Sequence, residues 1–136
     1  MKIKKEFIKK SVDILIKHEN ILNKFNKIQK ILLETQSKLM SYKNEINEIN
    51  TIDTNNNTDI KKQQNLLFIL NKYEDDIKSL KNKTQPYIDE INNIKKESLF
   101  LYQKIMNTYP NKTEEEIKKC LFDEITKYKE KNNINI

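Results

Sequence analysis

A heptad repeat of apolar residues in Asn65–Tyr109 is the feature that most constrains the fold of this chain. From Leu66, at a d position, and Leu70, at an a position, apolar side chains recur at alternating steps of four and three residues. The repeat lasts for more than five heptads, and only Thr84 and Ser98 are polar on it. A stripe with this period lies along one side of an α-helix and must be covered by another helix. The sequence therefore predicts coiled-coil helices.

A second heptad repeat runs through residues 2–50, with d positions from Phe7 onward and a positions that are apolar after His18. Near its start the apolar stripe is wider, because Ile8, Leu15 and Leu22 fall at e positions. Such a wide face suits a bundle of three or more helices. We name the apolar positions predicted to bind partner helices the seam: Phe7, Ile14, Ile21, Phe25, Ile28, Leu32, Leu66, Leu70, Tyr73, Ile77, Leu80, Tyr87, Ile91, Ile94, Leu101 and Ile105.

The segment 51–59 separates the two repeats, and its Asn, Asp and Thr residues favour a turn. The flanking stretches have similar lengths, so an antiparallel helical hairpin is predicted, with helices over 2–50 and 60–109. Pro86 removes a helical hydrogen bond, yet the heptad phase is the same on both sides of it. We therefore expect a kink or a brief restart within the second helix rather than a loop.

A short third helix is predicted over 113–131. Thr113 followed by Glu116 forms a capping-box pattern after Pro110. One face of this segment is apolar and could cover the wide face near the start of the chain, while the residues after Lys131 are expected to fray. The predicted fold is all-α, a single coiled-coil unit over 1–136.

The residue types present argue against catalysis. The chain has no Gly, so neither nucleotide-binding fingerprint can be formed. It has one histidine, His18, and one cysteine, Cys120, which are too few for a zinc site or a Cys–His nucleophile. We expect no enzyme activity, no cofactor and no metal.

The charge is strongly basic and comes from lysine alone. The net charge is +6, and all 26 basic residues are Lys. We name Lys2, Lys4, Lys5, Lys9 and Lys10 the N-terminal lysine patch; it could bind an anionic membrane or nucleic acid. The absence of Arg makes nucleic acid the weaker of these alternatives. No apolar run is long enough to span a bilayer and no signal peptide is evident, so a cytoplasmic location is expected.

The run Gln85-Pro86-Tyr87-Ile88-Asp89-Glu90-Ile91-Asn92-Asn93-Ile94, followed by Leu101, resembles a family signature. It is similar to the Leu-Gln-Pro-Tyr run of subunit two of the biogenesis-of-lysosome-related-organelles complex one. Thr84 stands where that family has Leu, and Pro110 ends a helix that continues in the family. The resemblance implies a helical subunit, shared with BORC, that acts in lysosome positioning and endosomal sorting.

Three functions follow from these patterns. The first is a non-enzymatic scaffold subunit of a hetero-oligomeric coiled-coil complex, cytoplasmic or peripheral on endosomes and lysosomes, whose partners are other coiled-coil subunits. The second is a basic helical protein that binds an anionic membrane or nucleic acid through the N-terminal lysine patch. The third is a self-associating structural rod, viral or cytoskeletal, which would form homo-oligomers.

Overall fold

The computed structural model describes the backbone of residues 1–50 and 57–136 and the side chains of 1–48 and 60–136. These segments form three α-helices and no strand: α1 (Lys5–Asn50), α2 (Asn57–Thr108) and α3 (Glu114–Lys131). The predicted all-α fold, with two long helices and a short C-terminal one, is confirmed. Helix α2 begins three residues before the predicted start at 60, and residues 51–56 of the predicted loop lie outside the described residues.

The two ends of α3 are capped in different ways. At its start the Thr113 hydroxyl accepts a hydrogen bond from the Glu116 N–H at 3.2 Å, as the capping-box pattern predicts. At its end the Ile134 N–H donates to the Lys129 carbonyl, and the Asn133 N–H donates to the Glu130 carbonyl. This Schellman pattern places Asn133 in the left-handed region, with φ of 53°. Helix α3 therefore ends in a defined cap, and fraying of the residues after Lys131 stays a prediction.

The chain divides into two compact units. Unit 1 comprises Met1–Asn23 and Tyr87–Ile136, and unit 2 comprises Lys24–Pro86. Both long helices pass from one unit into the other, and in α2 the division falls at Pro86.

In unit 1 the first part of α1, the end of α2 and α3 pack around one apolar core. Phe7 of α1, Ile105 of α2 and Ile117 of α3 are almost completely buried in it. Ile3, Ile8 and Leu101 complete the set of buried residues. Because each helix supplies at least one buried side chain, α3 is an integral part of this core, in the position that the wide face of α1 predicts.

In unit 2, α1 and α2 form an antiparallel pair. Ile46 packs on Leu66, and the Tyr42 and Tyr73 rings stack with their centroids 5.5 Å apart. Residues later in α1 thus pair with residues earlier in α2, as a hairpin requires. Within the described part of unit 2, Tyr42 and Leu70 pack against the buried pair Ile46 and Leu66, and Leu32 and Ile77 are buried as well.

Helix α2 continues without a break through Pro86. Proline has no N–H to donate to the carbonyl four residues earlier, here that of Asn82. Two residues before Pro86, the side chain of Thr84 is buried and donates a hydrogen bond to the Leu80 carbonyl at 2.7 Å. Its hydroxyl is therefore satisfied within the helix, which explains how a polar residue occupies the apolar stripe.

Candidate helix-binding groove

Much of the seam is covered by the chain itself. Eight of its residues are buried and the others are half-buried, so no seam side chain is fully exposed. An interaction with other subunits through the whole seam stays a prediction. On this structure, a partner helix would have to bind beside the seam, where apolar side chains remain accessible.

Such a surface lies in unit 1, between α1 and α2. A groove with a volume of about 410 Å³ has Ile14 and Leu15 on one wall and Ile94 and Leu99 on the other. Leu15 is 41% exposed and Leu99 is 57% exposed. We name this surface the α1–α2 groove; its lining residues are Ile14, Leu15, His18, Ile94, Lys95, Ser98, Leu99 and Tyr102.

Helix α3 packs next to this groove. A second, smaller cavity of about 160 Å³ shares Leu15 and Tyr102 with the groove and is also lined by Leu121 and Ile125 of α3. Helix α3 therefore packs on the wide apolar face of α1, where Ile8 is buried, but leaves Leu15 exposed. The wide apolar face is only partly covered by α3.

A polar contact fixes the start of α3 beside the groove. The Tyr102 hydroxyl donates a 2.7 Å hydrogen bond to the Glu114 carboxylate, and Lys118 forms a 3.0 Å ion pair with the same carboxylate. The hydrogen bond from Tyr102 is the largest single cause that lowers the pKa of Glu114 from its ordinary value, and the contact with Lys118 lowers it further. The same carboxylate raises the pKa of Tyr102, chiefly by accepting its proton in a hydrogen bond, and raises that of Lys118.

The groove carries a positive charge on its α2 side. Among the described residues that line it, Lys95 of α2 carries the one formal charge at neutral pH. His18 is half-buried at an a position of the repeat. A groove with an apolar floor and a basic edge suits a helix that carries acidic residues beside its apolar face.

The remaining predicted residues lie elsewhere in unit 1. The lysines of the N-terminal lysine patch are all exposed. Cys120 is half-buried, and its thiol donates to the Met1 carbonyl at 3.4 Å. In the part of the chain that the structure describes, no group of acidic, His and Cys side chains is arranged to hold a metal ion.

Three apolar or aromatic residues of the groove lie outside the seam: Leu15, Leu99 and Tyr102. Leu15 and Tyr102 fall at e positions of their repeats, and Leu99 falls at a b position. The wide stripe of α1 is a sequence signal for Leu15 and Tyr102, because e positions of antiparallel helices face the same side of the pair.

No helix within the described residues is long and apolar enough to cross a membrane. No protein-family model, curated protein or solved structure matches the chain. The candidate site therefore stands on the geometry of this molecule alone.

Proposed function

We propose that this chain is a non-enzymatic scaffold subunit of a hetero-oligomeric coiled-coil complex, and that it binds a helix of another subunit in the α1–α2 groove. The observation that carries the proposal is the exposure of Leu15 and Leu99 in the α1–α2 groove, whose lining residues come from α1 and α2. Exposed apolar surface that continues an existing helix–helix interface favours a further helix, because its burial removes apolar area from water.

The chemistry of the partner follows from α3, which already packs on this side of α1 and α2. Helix α3 presents Leu121 and Ile125, four residues apart, and places the Glu114 carboxylate on Tyr102. A partner helix would likewise carry apolar residues at steps of three and four, with an acidic residue placed to meet Lys95.

The finer part of the proposal concerns the cellular process. Gln85, Pro86 and Tyr87, which carry the resemblance to subunit two of the biogenesis-of-lysosome-related-organelles complex one, lie inside α2. The resemblance supports a cytoplasmic complex that binds peripherally to endosomes and lysosomes and acts in their positioning. Co-localisation of the tagged chain with a lysosomal marker is the expected result.

The test is affinity purification of the tagged full chain from its native cells, followed by mass spectrometry. The double variant Leu15→Asp/Leu99→Asp places charges in the groove and should remove the co-purified coiled-coil subunits. The matched control is Leu33→Asp/Leu67→Asp, which changes one exposed leucine of each long helix in unit 2. Far-UV circular dichroism should show the same helix content in both variants.

Two outcomes would contradict the proposal. If both double variants lose the same partners, or neither loses any, the groove is not the binding surface. If the chain purifies alone at an oligomeric mass, it is a self-associating rod instead of a subunit of a mixed complex.

A further inference from the structure

The first turn of α1 and the last turns of α3 bring together lysines that are more than 120 residues apart in sequence. They border a groove of about 300 Å³ in unit 1, with Ile3, Ile8 and Tyr128 forming its apolar part. Lys5 lies on the α1 side, and Lys127 and Lys131 lie on the α3 side. We name this surface the lysine groove; Glu124 and Asn132 complete its lining.

Among the described residues, these three lysines have no ion-pair partner. The ion pairs of the described residues involve Lys17, Lys112 and Lys118, and none includes a lysine of the lysine groove. With Glu124 as the one carboxylate in the lining, the groove has an excess of two positive charges. Like charges that converge on one surface repel each other, and a bound anion relieves that repulsion.

Helix-end electrostatics explain only part of this arrangement. Lys127 and Lys131 lie toward the end of α3, where the helix dipole favours positive charge. Lys5, in contrast, is the first residue of α1, at the end where the dipole favours acidic groups. The dipole of α1 therefore destabilises the positive charge of Lys5, and so do the neighbouring charges of Lys127 and Lys131. A bound anion would offset both effects.

The size and chemistry of the groove indicate the ligand. A volume of about 300 Å³ is at the small end of the range for sites that hold small molecules. Lysine ammonium groups bind phosphate as mobile point charges, without the planar geometry that arginine imposes. The apolar floor next to these charges suits a phosphorylated compound that has a ring or chain to lay on it.

We propose that the lysine groove binds a phosphate monoester group, held by Lys5, Lys127 and Lys131. This inference is independent of the α1–α2 groove, with which the lysine groove shares no lining residue. A soluble phosphate ester and the phosphorylated headgroup of a membrane lipid offer the same chemistry, and the experiment distinguishes these two sources.

The experiment measures binding of two probes to the full chain. Inositol hexakisphosphate is titrated by calorimetry, and sedimentation is measured with phosphatidylcholine vesicles that contain a phosphorylated inositol lipid. The variant Lys127→Glu/Lys131→Glu should weaken binding at least about tenfold. Lys5→Glu, which changes the α1 side of the groove, should also weaken binding of the probes. Added salt should weaken their binding to the wild-type chain.

The matched control is Lys78→Glu/Lys81→Glu, which makes the same change in net charge at exposed positions of α2 in unit 2. It should keep the wild-type affinity for both probes. Binding of the soluble probe alone would identify a soluble ester as the ligand, and binding of both would identify a lipid headgroup. The proposal is overturned if wild type binds neither probe, or if the control variant loses as much affinity as Lys127→Glu/Lys131→Glu.

Discussion

At the scale of single residues, the contact between Tyr102 and Glu114 connects α2 to the start of α3. The contact is exposed to solvent, so its strength is measured better by the pKa values of the two side chains than by the free energy of unfolding alone. Tyr102 donates its proton to a carboxylate that Lys118 also approaches, and loss of that proton would leave two negative groups in contact. This is the physical reason that the Tyr102 pKa is raised and the Glu114 pKa is lowered.

Replacement of the carboxylate should therefore change the titration of the phenol. In Glu114→Gln the pKa of Tyr102 should fall toward its ordinary value, because the charged acceptor of its hydrogen bond is gone. The shift can be followed by NMR of the Tyr102 ring carbons, assigned with Tyr102→Phe. Glu115→Gln, at the next residue of α3, should leave the Tyr102 titration as it is; an equal shift in both variants would mean that general charge, and not the hydrogen bond, sets the pKa.

The same contact gives stability a definite dependence on pH. A lowered pKa for Glu114 means that its contribution is present above the pKa of the unfolded chain and is lost as the pH falls through the folded pKa. A raised pKa for Tyr102 means that its contribution is present below the unfolded pKa and is lost as the pH rises through the folded pKa. The contact thus stabilises the fold between these two limits.

At the scale of secondary-structure elements, α3 depends on its caps more than the long helices do. It is the shortest of the described helices, and its first turn holds Glu114, Glu115 and Glu116, which the helix dipole favours. Thr113 satisfies one of the N–H groups that this turn leaves without a main-chain acceptor.

Thr113→Ala should cost about 0.5–2 kcal/mol, because it removes the acceptor of the Glu116 N–H. The loss would appear as a lower midpoint of unfolding in urea, monitored by circular dichroism. Thr113→Ser, which keeps the hydroxyl, should retain most of the wild-type midpoint. Equal midpoints for all three chains would show that packing of Ile117 alone holds the start of α3.

The sequence was sufficient for the helices but not for the surfaces. The period of the apolar residues identifies α1 and α2, and Thr113 with Glu116 identifies the start of α3, because these signals are local. The left-handed Asn133 after the C-cap is harder to predict, since this position is usually taken by Gly and this chain has none. The lysine groove depends on where α3 packs against the start of α1, and a heptad pattern does not encode that placement.

At the scale of the whole molecule, the two units differ in how much apolar surface supports them. The core of unit 1 is built by three helices, with Phe7, Ile105 and Ile117 at its centre. Among the described residues of unit 2, the buried apolar side chains are Leu32, Ile46, Leu66 and Ile77, which come from two helices. Local stability follows the number of buried apolar contacts, so the units should open at different rates.

Hydrogen exchange should reveal this difference within one continuous helix. Backbone amides of α1 in unit 1, around Phe7, should exchange more slowly than those of α1 in unit 2, around Ile46. Mass spectrometry of peptides from the isolated chain would measure both, with intrinsic rates taken from the chain in denaturant. Uniform protection along α1 would show that the helix opens as one body and that core size does not control its local stability.

The antiparallel pairing of Tyr42 with Tyr73 and of Ile46 with Leu66 limits how the length of this protein can change during evolution. Deletion of one residue from α1 or α2 within unit 2 would rotate the following side chains by about 100° and turn the apolar stripe away from the other helix. Insertion of seven residues in one of the two helices alone would shift the following residues by about 10 Å along the other helix. Descendant sequences should therefore lengthen or shorten here by seven residues in α1 together with seven residues in α2.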